Sequence, residues 1–233
     1  MKSRISAVLA RVESAARAAG RNPDEVRVLL ATKTQDAATV LEAVEAAGSL
    51  LPAPVLIGEN RVQELVAKAP ALAGLVAAGQ VEVHLIGHLQ SNKVNQALAT
   101  SSCVESVDSL DIATALATRC VRDGRTLDVM VEVNVSGEAT KAGVAPDDAP
   151  AFARAVAALD GLRLRGFMTI GARSDDDAVV RAGFARLRAI RDEVLPGGEL
   201  SMGMTGDLEL AVAEGATIVR VGTAVFGPRA PQA

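Results

Sequence analysis

The chain has 233 residues, a hydrophobic fraction of 49% and a formal net charge of −4. That charge argues against general nucleic-acid binding, and no apolar run reaches the ~18 residues of a membrane span. The length is close to the ~250 residues of one (β/α)8 barrel, and Cys103 and Cys120 make no disulfide framework, so cytoplasmic residence is expected.

Met1-Lys2-Ser3-Arg4 opens an amphipathic helix interrupted by Arg11, not the apolar region of a signal peptide. Ile5, Val8, Leu9, Val12, Ala15, Ala16 and Ala19 keep helical spacing, and Gly20 supplies a stop. Asn22-Pro23-Asp24 turns the chain into a first strand, 26–32. Helix 37–47 follows Asp36 and ends at Gly48, and Pro52 and Pro54 mark a connection. A second strand, 55–57, runs into Gly58-Glu59-Asn60. Residues 61–78 read as helix with a break at Pro70, 81–86 as a third strand and 90–99 as helix.

Strand 103–107 comes next, and Ser109 caps helix 110–122. The clearest strand is 127–135, rich in β-branched residues. A polar loop, 137–143, and helix 147–158 follow, then strand 162–170. Ser174 with Asp177 has the form of a capping box opening helix 175–194. Strand 199–202, helix 207–214, strand 216–221 and a short tail with Pro228 and Pro231 complete the chain. Eight strands alternating with helices point to a parallel α/β barrel with an extra N-terminal helix. The rival is an open doubly wound sheet. A dinucleotide-binding sheet of that kind carries a glycine-rich first turn, whereas the first turn here is Thr32-Lys33-Thr34-Gln35-Asp36.

Several stretches carry chemistry. Lys33 directly ends the apolar run 26–32, at the end of a strand where parallel α/β folds collect ligands. Taken alone, it also reads as a strand-end lysine reaching into water. Ser201-Met202-Gly203-Met204-Thr205-Gly206-Asp207 and Arg220-Val221-Gly222-Thr223-Ala224 follow strands seven and eight. Barrels bind phosphate at these loops through backbone N–H groups and hydroxyls, and two ordinary tight turns are the plainer reading. Arg220 interrupts an apolar strand, so it is either paired with an acidic neighbour or turned to a ligand in the barrel mouth. His84 and His88 have no third partner of comparable placement, and no metal site is expected.

These motifs together identify a resemblance. Ala31-Thr32-Lys33-Thr34, Gly58-Glu59-Asn60 with Val62-Gln63-Glu64, and His84-Leu85-Ile86-Gly87-His88-Leu89-Gln90-Ser91-Asn92-Lys93 form one set. Ser201-Met202-Gly203-Met204-Thr205-Gly206-Asp207-Leu208-Glu209 and Val219-Arg220-Val221-Gly222-Thr223-Ala224-Val225-Phe226-Gly227 complete it. In order, from about Val26 to Arg229, they resemble the YggS/PROSC family of pyridoxal phosphate (PLP) homeostasis proteins. The resemblance implies a TIM barrel like the N-terminal domain of alanine racemase, a single PLP-binding domain over 1–233, and PLP held as a Schiff base on Lys33. It further implies phosphate contacts from Ser201, Gly222 and Thr223, Arg220 facing the pyridine nitrogen, Asn60 and His84 lining the pocket, and Met168 near the ring. The chain departs from the family pattern at Thr32, at Gln35-Asp36 where a proline is common, at Thr205 and at Arg61.

Two functions compete. One is a PLP-dependent racemase or related enzyme; the other is a protein that stores PLP or passes it to apoenzymes. An arginine at the pyridine nitrogen leaves that nitrogen unprotonated and weakens carbanion stabilisation, although alanine racemase works with one. Alanine racemase also uses a tyrosine from its second domain, and this chain has neither that domain nor any tyrosine. The expectation is a monomeric cytoplasmic PLP homeostasis protein with no catalytic residues, no membrane contact and no nucleic-acid partner.

Overall fold

The computed structural model describes residues 1–138 and 140–228. Eight strands close into a parallel barrel in sequence order. They are β1 (Arg27–Ala31), β2 (Val55–Glu59), β3 (Val81–Leu85), β4 (Cys103–Val107), β5 (Leu127–Glu132), β6 (Leu162–Met168), β7 (Glu199–Ser201) and β8 (Ile218–Val221). The ring closes where β8 pairs with β1, from Arg27↔Ile218 to Leu30↔Val221. Near-continuous apolar runs suit this arrangement, because parallel strands are covered on both faces.

Strand parity sorts the side chains into two cores. Val28, Leu30, Val55 and Ile57 face outward and pack under the surrounding helices. Their neighbours Leu29 and Leu56 face inward and join Cys103, Met130, Met168 and Ile218 in a separate layer inside the barrel. Below that layer, toward the N-terminal ends of the strands, lies a floor of ion pairs. Arg27 bonds Glu82 at 3.2 Å, and Arg165 bonds both Glu82 and Glu199, the latter at 2.6 Å. Above it, near the C-terminal ends, stand Glu105, Glu132 and Arg220, all buried.

Outside the ring, α1 (Lys2–Ala18) packs on α8 (Leu208–Ala213) and α9 (Thr223–Phe226). Arg11 holds Glu209 through two bonds of 2.7 and 2.8 Å and also donates to the Thr205 carbonyl. Gly20, at φ 68°, ends α1 as predicted: its N–H reaches the Arg17 carbonyl, and the Arg21 N–H reaches that of Ala16. α2 (Ala37–Gly48) is capped by Asp36, which accepts from the Thr39 N–H at 2.8 Å. Ser109 caps α5 (Leu110–Arg122) from its predicted position.

Several boundaries differ from the sequence reading. α3 (Val62–Ala77) runs through Pro70 unbroken. Proline removes one N–H, but the carbonyl it leaves unmatched belongs to Val66, on the exposed side of the helix, where water can serve it. α7 (Asp177–Val194) starts later than 175, because Asp176 is its cap and accepts from the Ala178 N–H at 2.9 Å. Ser174 instead accepts from the Asp176 N–H, in the turn before the helix. Residues 91–93 form a 3-10 turn before α4 (Val94–Thr100), and α6 (Ala149–Ala157) begins two residues past 147. β5 ends at Glu132, and Val133 only bridges Val144. α9 was not foreseen. Ala139 of the predicted polar loop and the tail from 229, with Pro231, lie outside the described residues.

Candidate functional site

A cavity of about 560 Å³ opens among the loops at the C-terminal ends of the strands. Lys33, Asn60, Arg220, Gly222 and Thr223 all line it. Lys33 arrives two residues past the end of β1 and is half-buried. The next residue, Thr34, has φ 67°, a left-handed conformation that a β-branched residue rarely adopts. Asn60 follows β2 directly and lies against Gly87. A Cβ on Gly87 would stand 2.1 Å from the Asn60 carbonyl oxygen, so only glycine lets the two loops close up.

Arg220 points inward, with the parity of Ile218. Its Nη1 donates to the carbonyl and hydroxyl oxygens of Ser201 at 2.7 and 2.9 Å, and its Nη2 to the Thr169 carbonyl at 2.8 Å. These partners are neutral oxygens rather than a carboxylate. Burial lowers its pKa from the ordinary arginine value, with Glu105 and Glu132 pulling the other way. A guanidinium keeps its proton at working pH regardless.

Ser201, His84 and Met168 do not line the cavity; they sit deeper, and each is fully buried. The Ser201 hydroxyl donates to Glu105 Oε2 at 2.5 Å while accepting from Arg220. Glu105 Oε1 meets His84 Nδ1, and His84 Nε2 meets Glu82 Oε1 at 3.1 Å. Burial works against the His84 charge, yet the hydrogen bonds to Glu105 and Glu82 push its pKa up to about 9. His84 is therefore an imidazolium donating from both nitrogens. Burial likewise favours a neutral Glu105, but His84 outweighs it and holds the carboxyl below its usual range. A hydrogen-bonded column thus runs from the charged floor through Glu82, His84, Glu105 and Ser201 to Arg220. Met168 belongs to the apolar layer beside that column.

Glu132 lines the cavity beside Arg220 and is 4% exposed. Burial first, and then the charge of Asp108, raise its pKa to about 7 against the pull of Arg220. Sequence reasoning passed over Glu132 and Glu105. The signal that singled out Arg220, a charge inside an apolar strand, is present in Val131-Glu132-Val133 and Val104-Glu105-Ser106 as well. Lys141 also reaches the cavity, its amine bonded to Glu138 at 2.6 Å and to the Gly171 carbonyl at 2.9 Å. It lies in a polar loop with no periodicity to place it. His88 stands at the mouth with a side chain 57% exposed, near Asp108. Among the described residues no three His, Cys, Asp or Glu side chains gather as metal ligands.

The mouth therefore combines two lysines, an arginine held on neutral oxygens, a glycine-threonine loop and one carboxyl titrating near neutrality. That set suits a small anionic ligand bearing a group that reacts with an amine.

Known proteins are similar to this chain in sequence and in fold. Residues 4–230 match the family described as alanine racemase, N-terminal domain. The chain is 46% identical over 226 residues to the pyridoxal phosphate homeostasis protein of Pseudomonas aeruginosa, covering 97% of this chain and 94% of that one. It is 36% identical over 230 residues to the protein of the same name from Escherichia coli K12, covering 97% and 95%. Among solved structures, PipY of Synechococcus elongatus with PLP bound superposes with a TM-score of 0.75 at 34% identity, covering 93% of this chain and 100% of that one. Alanine racemase of Clostridium difficile shares the fold, with a TM-score of 0.71 at 13% identity over 96% of this chain and 57% of that one.

Proposed function

The chain belongs to the family of pyridoxal phosphate homeostasis proteins, built on the alanine racemase N-terminal domain, and from that premise we propose that it holds PLP at Lys33 in the service of PLP homeostasis. One observation carries the reading: Lys33, Arg220 and the Gly222-Thr223 loop line a single cavity at the ligand-binding end of the barrel. PLP supplies an aldehyde that condenses with an amine, and a phosphate that needs donors. The residues present fit both demands. Lys33 offers the amine. Thr223 offers a hydroxyl, and the first N–H groups of α9 have no acceptor within their own helix. A Cβ at residue 222 would come within 3.3 Å of the Ala31 carbonyl oxygen, so glycine lets this loop lie close against the end of β1.

Arg220 would face the ring of the ligand, where a fixed cation would disfavour protonation of the ring nitrogen. Ser201 acts mainly through Arg220, which it holds in place, and Glu105 holds Ser201 in turn. His84 keeps Glu105 ionised, and Met168 packs the layer beneath. Asn60 borders the pocket from the β2 side.

An amino-acid racemase or related enzyme is the second reading, because the fold is shared with alanine racemase. A lysine–tyrosine acid–base pair cannot be assembled from a chain with no tyrosine. Storage and delivery to PLP-accepting apoenzymes therefore suits the site better than turnover. The same reading takes residues 1–233 as one cofactor-binding unit that works as a monomer in the cytoplasm, without membrane or nucleic-acid partners. No helix of the described residues is long and apolar enough to cross a membrane, and both cysteines are free thiols, which suits a reducing compartment.

Two measurements test the proposal. Loading with PLP, reducing with borohydride and mapping peptides should place the label on Lys33; label on Lys93 or Lys141 instead overturns the assignment. Screening amino acids against the loaded protein should reveal no sustained turnover. A rate on the order of 1 s⁻¹ on any substrate restores the enzyme reading.

A further inference from the structure

The backbone on both sides of Lys33 is gripped from outside the barrel. Thr34, strained at φ 67°, gives its N–H to Glu64 Oε2 at 2.8 Å. Thr32 is held twice. Its carbonyl accepts from Lys68 Nζ at 2.9 Å, and its hydroxyl donates to Glu59 Oε1 at 2.5 Å. Glu64 and Lys68 lie one turn apart on α3, 3.9 Å from each other, and Lys68 closes the group with a 2.6 Å bond to Glu59.

The burial of this group is unusual. Lys68 is 5% exposed and Glu59 1% exposed. Lysine and glutamate are rarely buried so deeply unless paired. A Leu or Met on α3 would fill the same space without the desolvation cost, so stability alone gives little reason for a charge there. What the charges achieve is directional. The ammonium seizes the carbonyl before Lys33, and the Glu64 carboxylate seizes the N–H after it. A residue held at both flanking peptide groups has a fixed Cα–Cβ direction, and Lys33 borders the cavity.

Resting on the reading of Lys33 given above, we infer that Glu59, Glu64 and Lys68 form a positioning clamp that fixes the Lys33 backbone and so sets how firmly its amine keeps PLP. None of the three needs to touch the ligand. Glu64 is the part that can be tested most cleanly. Its side chain is 25% exposed, and its hydrogen bond in the structure is to the Lys33 loop.

The experiment compares Glu64→Ala, Glu64→Gln and Leu116→Ala, the last being a buried residue of α5, a helix that packs on α4, α6, β5 and β6 rather than on α3 or β1. Three readouts are taken: the rate of PLP loss into an excess of competing amine, the melting temperature, and amide exchange at Thr34 in PLP-free protein. Glu64→Ala should lose PLP on the order of tenfold faster and exchange the Thr34 amide faster, with a melting temperature close to the parent's. Glu64→Gln keeps an acceptor oxygen and should recover most of the parental rate. Leu116→Ala should lower the melting temperature and leave PLP loss unchanged. If the parent's label maps to Lys33 but Glu64→Ala releases PLP at the parental rate, the clamp is overturned while Lys33 stands. The clamp is equally overturned if Leu116→Ala speeds release as much as Glu64→Ala. A parental label on another lysine overturns the clamp together with the reading beneath it.

Discussion

The two ends of the barrel interior use the same kinds of side chain to opposite effect. At the floor, Arg27 and Arg165 meet Glu82 and Glu199 in a closed set of ion pairs. At the mouth, Arg220 rests on carbonyl and hydroxyl oxygens, and Glu132 is buried with a pKa near 7. Charge satisfied by charge holds the strands together. Charge satisfied by neutral dipoles keeps an unbalanced field, and that field is what a ligand meets. The difference separates a stabilising end from a binding end without reference to any homologue, and it matches the general division of labour in this fold.

Five changes break or sharpen that contrast, in falling order of effect. Lys33→Ala should abolish the borohydride-fixed PLP adduct altogether while leaving the melting temperature nearly unchanged. Peptide mapping and calorimetry on one preparation read both. Arg165→Met, at the other end, should do the reverse. Taking Arg165 from Glu82, Glu199 and Asp128, with Arg27 still beside the first two, should cost about 3 kcal/mol of stability, seen in denaturant titration, with PLP affinity of the folded fraction at the parental value. A large loss of affinity there would erase the distinction between the ends.

Thr223→Ala should weaken PLP binding by about tenfold to a hundredfold with little loss of stability, since the residue is exposed. Ser201→Ala should lower both quantities, because its hydroxyl links Arg220 to Glu105. Titration with PLP, paired with melting curves, distinguishes the two outcomes.

The smallest effect concerns pH. Glu132 has its pKa raised in the folded state, so the native protein binds a proton that the unfolded chain has released. Its contribution is full below the ordinary carboxyl range and is lost as pH rises toward about 7. His84 acts in the same direction one step higher: its stabilisation is complete below its ordinary value of 6.5 and fades as pH climbs through about 9. PLP-free parent should therefore lose melting temperature from pH 5 to pH 9. Glu132→Gln should flatten the lower half of that slope and leave the upper half. An unchanged slope in the variant would remove Glu132 from the mouth's titration.

The barrel was legible because each strand is an apolar run bounded by Gly, Pro or a polar cap, and because the count reached eight. Helix starts were legible where a single side chain decides them, as at Asp36 and Ser109. They slipped where two candidates compete, as at Ser174 and Asp176. At the site, Lys33, Asn60, Arg220, Gly222 and Thr223 come together at one cavity from strand ends, which chain order already aligns. Ser201, His84 and Met168 also point inward but stay below the cavity, a depth that parity alone does not give, since Arg220 and Glu132 share that parity and line it. Glu105 and Glu132 were readable by the same parity and were missed. The grip of Lys68 on Thr32 was not readable. Lys68 keeps the buried spacing of Val62, Leu65 and Leu72, yet only closure in space shows which carbonyl its amine meets.

The ring closes between its first and last strands, and α1 is tied to the final βα units by Arg11 and Glu209, 198 residues apart in the chain. On a ribosome this fixes an order of events. At roughly 5–20 residues per second, β1 and Lys33 wait on the order of ten seconds or more for the partner strand and the glycine-threonine loop. During that interval the edge of β1 has no neighbour on one side, and the lysine has no glycine-threonine loop facing it. On the proposed reading of Lys33, loading follows the emergence of β8, so a product truncated before β8 lacks the strand that closes the ring and the loop that faces the lysine.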